Sequence, residues 1–265
     1  MTEWEYAERI LYVDLTTRDC RVEATSLELK RSYVGGAGFV ARLLASPERP
    51  AHRVVLAAGP LSDGMAGRLS LGAWRGTPVL SSLGGRMAAA LKGSGFDAIV
   101  VDGRLAQPCR LIVGPSGAEI LGAAELAGLD IPAAEAQVGR LCGPAYGSII
   151  LGPAAQAGHP QATLAHEGHY AGGSGVGAEL GATGLLAVSV WAPGTAPGKC
   201  TGCTLACPGI PSAEADAVGV SVKPARTRRL PAVADLLGTC RRTWQDRPGQ
   251  VLKQALASTH NLLAV

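Results

Sequence analysis

Aromatic residues are scarce in this chain, 4% of 265 positions, with only 2 phenylalanines. A core without large rings has to be built from Ala, Val and Leu, and hydrophobic residues together reach 47%. Charge is sparse too, at 17%, and the net value of +3 is too small and too dispersed to argue for a nucleic-acid partner. No apolar run approaches the roughly 20 residues that span a bilayer, so no membrane association is expected. The opening MTEWEYAERI carries three acidic residues and lacks the apolar segment of a secretory signal. Seven cysteines, an odd number without such a signal, argue against a secreted disulfide framework. The expected setting is soluble and cytoplasmic. Walker loops, dinucleotide fingerprints and Ser/His/Asp motifs are missing as well; Gly35-Gly-Ala-Gly38 lacks the dinucleotide spacing.

Glycine, by contrast, is abundant at 36 residues, which implies tight turns and close backbone approaches. Alternation predicts a hairpin from Ile10–Leu15 and Cys20–Ala24, and a second from Arg110–Val113 and Ala118–Leu121. Strands are expected at Val54–Ala58, Asp97–Val101, Ser148–Leu151 and Leu185–Trp191. Short helices are expected after Ser26, at Ala88–Lys92 and at Ala133–Leu141. These elements mix without regular βαβ spacing, so α+β is preferred to a doubly wound sheet. Ala192-Pro-Gly-Thr-Ala-Pro-Gly198 reads as a linker, which divides the chain into 1–191 and 192–265. Two amphipathic helices are expected in the second part, at Pro231–Gln245 and Gly249–Leu263.

The sharpest motif lies in that second part. Cys200-Thr-Gly-Cys203-Thr-Leu-Ala-Cys207-Pro208 packs three thiols into eight residues. Three thiolates so close select an iron–sulfur cluster or zinc. A bacterial ferredoxin run ends the same way but has a further cysteine three residues earlier, where this chain has Pro197. A fourth ligand must come from elsewhere, and Cys240 is the cysteine further downstream. Zinc sites usually offer two separated ligand pairs, so iron–sulfur is favoured.

Two glycine-rich stretches look suited to an anionic ligand: Ser81-Ser-Leu-Gly84-Gly85-Arg86 and Tyr170-Ala-Gly-Gly-Ser-Gly-Val-Gly177. Consecutive glycines let backbone N–H groups approach phosphate oxygens. His159, His166 and His169 gather around Glu167, and are read as surface or turn histidines rather than a metal or proton-shuttle site. Cys20, Cys109 and Cys142 are read as small buried residues.

In order along the chain, Arg9–Thr17, Tyr33-Val-Gly-Gly-Ala-Gly38, Ala57-Ala-Gly-Pro-Leu61, Leu91–Gly103, Leu151-Gly-Pro-Ala154, Glu167-Gly-His169 and the cysteine run resemble the N-terminal part of tungsten-dependent aldehyde ferredoxin oxidoreductases. The resemblance implies a mixed or antiparallel β-sheet saddle carrying a tungsten or molybdenum bis-pterin beside one [4Fe–4S] cluster. It implies that Arg68, Ser82-Leu83-Gly84-Gly85 and Gly173-Ser174-Gly175 contact the pterin, and that Cys200, Cys203 and Cys207 hold the cluster, with Cys240 as candidate fourth ligand. Two departures stand out: the family's loop asparagine is Ser82 here, and its loop arginine falls on Gly173. The family's large helical domains are expected to be absent from these 265 residues. A separate catalytic chain or a second copy would then complete the site.

The implied activity is oxidation of an aldehyde or oxo group, with electrons passing to ferredoxin or another redox partner. The alternative is a non-catalytic scaffold on the same fold, with a structural zinc or cluster.

Overall fold

The structure, a computed structural model, describes residues 6–48, 50–62 and 67–194. The first half runs β1 (Arg9–Asp14), β2 (Asp19–Ala24), α1 (Leu27–Tyr33), α2 (Ala37–Leu44), β3 (Arg53–Ala57), β4 (Leu69–Arg75), β5 (Thr77–Leu83), α3 (Met87–Gly93) and β6 (Ala98–Asp102). The second runs β7 (Cys109–Gly114), β8 (Gly117–Gly122), a 3₁₀ turn at Ala124–Leu126, α4 (Ile131–Cys142), β9 (Tyr146–Leu151), α5 (Pro153–Gln156), β10 (Thr163–His166), β11 (His169–Gly172), α6 (Val176–Ala182) and β12 (Leu185–Trp191).

Each half builds a six-stranded mixed sheet. The orders are β2-β1-β6-β3-β4-β5 and β11-β10-β9-β12-β7-β8. Among the described residues only β1–β6 and β12–β7 pair in parallel; the other ladders are antiparallel. The fold is therefore α+β. The expected saddle consists of two sheets whose edges meet, β5 against β11 and β2 against β8.

The sheets share one core. Leu11, Val13, Leu56, Leu71 and Val101 of the first meet Leu111, Val113, Leu151, Leu164 and Val188 of the second, together with Met87 and Leu91 of α3 and Val176 and Leu180 of α6. A smaller cluster covers the other face of the first sheet, where Phe39, Val40 and Leu44 of α2 pack on Val55 and Val100. Ala134 and Val138 of α4 do the same for the second sheet, against Ile150 and Ala187. Small side chains let these layers come close. A Cβ on Gly72 would lie 2.3 Å from Val40, and one on Gly181 would lie 2.0 Å from the carbonyl oxygen of Ala155, which belongs to the backbone.

Local signals explain most boundaries. Ser26 Oγ accepts the Leu29 N–H at 3.1 Å and starts α1. Asp130 Oδ1 accepts the Ala133 N–H at 2.8 Å and starts α4, which has Pro132 in its first turn. The sequence reading lacks α2, α5, α6, the 3₁₀ turn, and the β4–β5 and β10–β11 hairpins. Gly35-Gly-Ala-Gly38 looks like a turn, yet Gly36 caps α2. In the β10–β11 hairpin, His166 pairs with His169, and the two-residue turn Glu167-Gly168 has φ of +47° and +73°, a type I′ pattern.

The first half is tied together at Asp97, which is fully buried. Its carboxylate accepts the Ala7 and Glu8 N–H groups at 2.8 and 2.9 Å, the Thr25 hydroxyl at 2.8 Å and the Lys92 ammonium at 2.5 Å. One side chain thus joins the N-terminal segment, the end of β2 and the last turn of α3. Asp97→Ala would remove the carboxylate that neutralises the buried Lys92 ammonium, an expected loss of about 3–5 kcal/mol. Gly181→Ala, which pushes α6 against the α5 backbone, is expected to cost about 1–3 kcal/mol. Urea unfolding of both variants beside the parent checks these values.

Candidate cofactor-binding site

Arg68 immediately precedes β4, and Ser82 lies opposite Ser70 near the end of β5. The arginine reaches across the ladder: Nε donates to Ser82 Oγ at 2.7 Å and Nη2 to the Ser82 carbonyl at 3.2 Å. Two bonds to one residue fix the plane of the guanidinium. Ser82 and Leu83 are strand residues, and Leu83 is wholly buried in the shared core. Of the stretch read as an anion loop, only Gly84, Gly85 and Arg86 lie outside the strand, before α3.

That short loop rests on two imidazoles. A Cβ on Gly84 would lie 2.9 Å from the His169 ring, and one on Gly85 2.6 Å from His166 Cδ2. Gly85 also has φ +90°, so glycine is demanded twice there. β11 begins at His169 and ends at Gly172, where the second candidate loop begins. Gly173 and Gly175 have φ of +76° and +93°, and Gly175 caps α6. Between them the Ser174 hydroxyl is buried and makes no hydrogen bond among the described residues. Such a group calls for a partner.

The arginine missing at position 173 has a neighbour from another element. Arg75, at the end of β4, runs along Gly175, with Nη1 2.3 Å from where a Cβ would sit, and pairs with Glu179 of α6 at 3.1 Å. The candidate residues therefore form two groups. Arg68, Ser82, Gly84 and Gly85 lie at one end of the β4–β5 hairpin. Gly173, Ser174 and Gly175 lie near Arg75, at the other end, and β11 connects the two.

His166 departs from the surface reading: it is fully buried. Its Nδ1 lies 2.9 Å from the Ser148 carbonyl, which can only accept, so Nδ1 carries the proton. Nε2 makes no hydrogen bond among the described residues, and Glu167 Oε2 is 3.5 Å away. Burial holds the imidazole pKa below its ordinary value, against the pull of Glu167. Next to it, Arg86 Nε donates to Glu167 Oε1 at 2.7 Å and Nη2 to the Tyr146 carbonyl at 2.8 Å. The Glu167 N–H donates to Glu135 Oε1 at 3.1 Å, and burial raises the Glu135 carboxyl. These groups border a cleft of about 370 Å³, lined also by Ser148, Pro144 and Gly143.

Cys200, Cys203, Cys207 and Cys240 lie outside the described residues. Among the described residues, no group of three or more His, Cys, Asp or Glu is placed to hold a metal ion. Cys109 is buried, with its thiol pushed up to about 11 by burial, while Cys20 and Cys142 are half-exposed rather than buried. No described helix is long and apolar enough to cross a membrane.

A family model, the aldehyde ferredoxin oxidoreductase N-terminal domain, matches residues 10–192. The tungsten-containing aldehyde ferredoxin oxidoreductase of Pyrococcus furiosus is 31% identical over 204 residues, 71% of this chain and 34% of that protein. Its counterpart from Thermococcus kodakarensis is 31% identical over 197 residues, 69% of this chain and 33% of that protein. A solved chain from the active site complex BamBC of benzoyl coenzyme A reductase, in complex with 1,5-dienoyl-CoA, is similar at a TM-score of 0.67 and 25% identity. That match covers 72% of this chain and 31% of the other. The chain thus spans about a third of the length of the curated relatives it matches.

Gly85→Ala forces both a strained φ and a clash with His166, and is expected to cost about 2 kcal/mol or more. His166 also gives stability a pH dependence. Its neutral form is favoured by the fold, so the unfolded chain binds the extra proton in the acid window. The contribution is complete above the ordinary imidazole value of about 6.5 and is lost as pH falls from there toward the lower folded value. Urea midpoints at pH 7 and pH 5 should differ more in the parent than in His166→Gln.

Proposed function

Because the chain belongs to the aldehyde ferredoxin oxidoreductase family through its N-terminal domain, we propose that it is a redox protein or subunit that binds a tungsten or molybdenum pterin and a [4Fe–4S] cluster. In this reading it oxidises an aldehyde or related oxo group and passes electrons to ferredoxin or another redox partner. Arg68, Ser82, Leu83, Gly84, Gly85, Gly173, Ser174 and Gly175 would hold the pterin. Cys200, Cys203 and Cys207 would hold the cluster, with Cys240 as fourth ligand. When bound, the metal–pterin supplies the two-electron oxidation and the cluster carries the electrons away.

The observation that carries the reading is the buried, unpartnered Ser174 hydroxyl in a loop where two glycines have positive φ. A polar ligand edge would supply its missing bond, and glycines expose the neighbouring backbone N–H groups. At the other loop, Ser82 holds the Arg68 guanidinium in one plane before any ligand arrives, so less freedom is lost on binding. Leu83, buried in the core, can contribute only its backbone.

A partner chain or a second copy would complete the site. Support comes from BamBC, an active site complex, and from the third of the relatives' length that this chain spans. The domain division at 191/192 fits here as well, since β12 ends at Trp191 and the cysteine run follows. A second reading, a non-catalytic scaffold with structural zinc or cluster, is favoured by Gly173 standing where the family carries an arginine.

Anaerobic expression with tungstate or molybdate, followed by metal and pterin analysis, tests the cofactor half. The parent should retain metal and pterin. Arg68→Ala, with unchanged circular dichroism, should weaken retention about tenfold or more, the loss typical of a charged hydrogen-bond donor. Ser174→Ala should weaken it less. A parent without either component, or an Arg68→Ala protein that retains both in full, would overturn the pterin site.

A further inference from the structure

The His166–Glu167 pair has a feature that the cofactor reading leaves unused. Nδ1 of His166 must carry the ring proton, because it faces the Ser148 carbonyl, so Nε2 presents a bare lone pair. Glu167 Oε2, another acceptor, lies 3.5 Å from it, and no hydrogen bond joins the two among the described residues. Two acceptors this close repel, and a proton taken up between them would relieve the repulsion. His166 is wholly buried, whereas Glu167 lies at the rim of the cleft bordered by Arg86, Glu135 and Ser148. On its inner side the same imidazole touches the Gly84–Gly85 loop: a Cβ on Gly85 would lie 3.0 Å from Nε2.

We propose that His166 and Glu167 form a proton-binding pair, in which one proton enters from the cleft through the Glu167 carboxylate and is held between Oε2 and Nε2, next to Gly85. The groups facing the pair set its balance. Arg86, from the segment before α3, neutralises Glu167 through Oε1 and leaves Oε2 for the proton. Glu135 of α4 accepts the Glu167 N–H and adds negative charge at the cleft. His169, on the same hairpin, donates from Nδ1 to the His166 carbonyl at 3.2 Å and, when charged, opposes protonation of His166. Burial lowers the proton affinity of the His166 imidazole and Glu167 pulls the other way, so the ring is neutral at rest and its uptake depends on Glu167.

Proton uptake turns a neutral imidazole into an imidazolium beside a carboxylate, and no oxidant or reductant is needed. Its use rests on the oxidoreductase reading. An aldehyde and water becoming a carboxylic acid release two protons and two electrons; the cluster, when bound, would take the electrons, and a proton released near the Gly84–Gly85 loop would have an acceptor next to it. The existence of the pair does not depend on that reading.

The test is NMR titration of the full chain with isotope-labelled histidine and glycine, without metal or pterin. Expected at neutral pH is the Nδ1–H tautomer of His166. On acidification Nε2 should take up a proton, and the Gly84 and Gly85 amides should shift with the same midpoint. Glu167→Gln should lower that midpoint, because it removes the charge that favours imidazolium, and Glu167→Asp should restore part of it. An Nε2–H tautomer at neutral pH, a midpoint unmoved by Glu167→Gln, glycine amides that do not follow, or unfolding in place of titration would each overturn the proposal. A failed titration leaves the pterin and metal result standing, and the reverse holds too.

Discussion

The architecture depends on the close meeting of two sheet edges, β5 and β11, over a core with almost no large rings. Side chains have to vanish along that seam. Gly84 and Gly85 lie against His169 and His166, and Gly175 makes room for Arg75. Dispersion contacts weaken steeply with separation, so a core of Ala, Val and Leu is stable only if its layers approach this closely. The same glycines then leave backbone, rather than side chains, at the surface where a cofactor would lie.

The seam also brings charge to a loop from a strand distant in sequence. Gly173 stands where the resemblance expects an arginine, yet Arg75 brings a guanidinium to the same loop from β4, held by Glu179. A single aligned position thus misjudges the charge near the loop, because a strand end and a loop distant in sequence share one location. Asp97 works in a similar way at the opposite side of the first sheet, where one carboxylate serves three separate segments.

Hairpins and caps were legible in the sequence where local chemistry decides: β1–β2, β7–β8, the Ser26 cap and α4 follow their alternation and capping residues. The β4–β5 hairpin was not, because Leu69–Leu83 is buried at one end and exposed at the other, which erases the period-two pattern. Ser81 and Ser82 therefore looked like loop residues. α2 was hidden by the glycines at its start, where Gly35 lies against Pro60 and Gly36, with φ +48°, caps the helix. At the site, Arg68 and the two glycine loops could be found through resemblance. The Arg68–Ser82 bond, the orphaned Ser174 hydroxyl and the burial of His166 could not, because each is a product of tertiary packing. Glu167-Gly168 is the one missed signal the sequence did carry: an X-Gly pair between two short apolar runs is a hairpin cue.

The central claim is that this chain handles electrons, and the cysteine run is its most direct target. The decisive measurement is iron quantification with optical and EPR spectra on anaerobically purified protein, beside Cys203→Ser. Expected is iron with a reducible cluster signal in the parent, lost in the variant. Zinc alone, or no metal in protein expressed under cluster-competent conditions, would contradict the redox assignment and leave a structural module on the same fold.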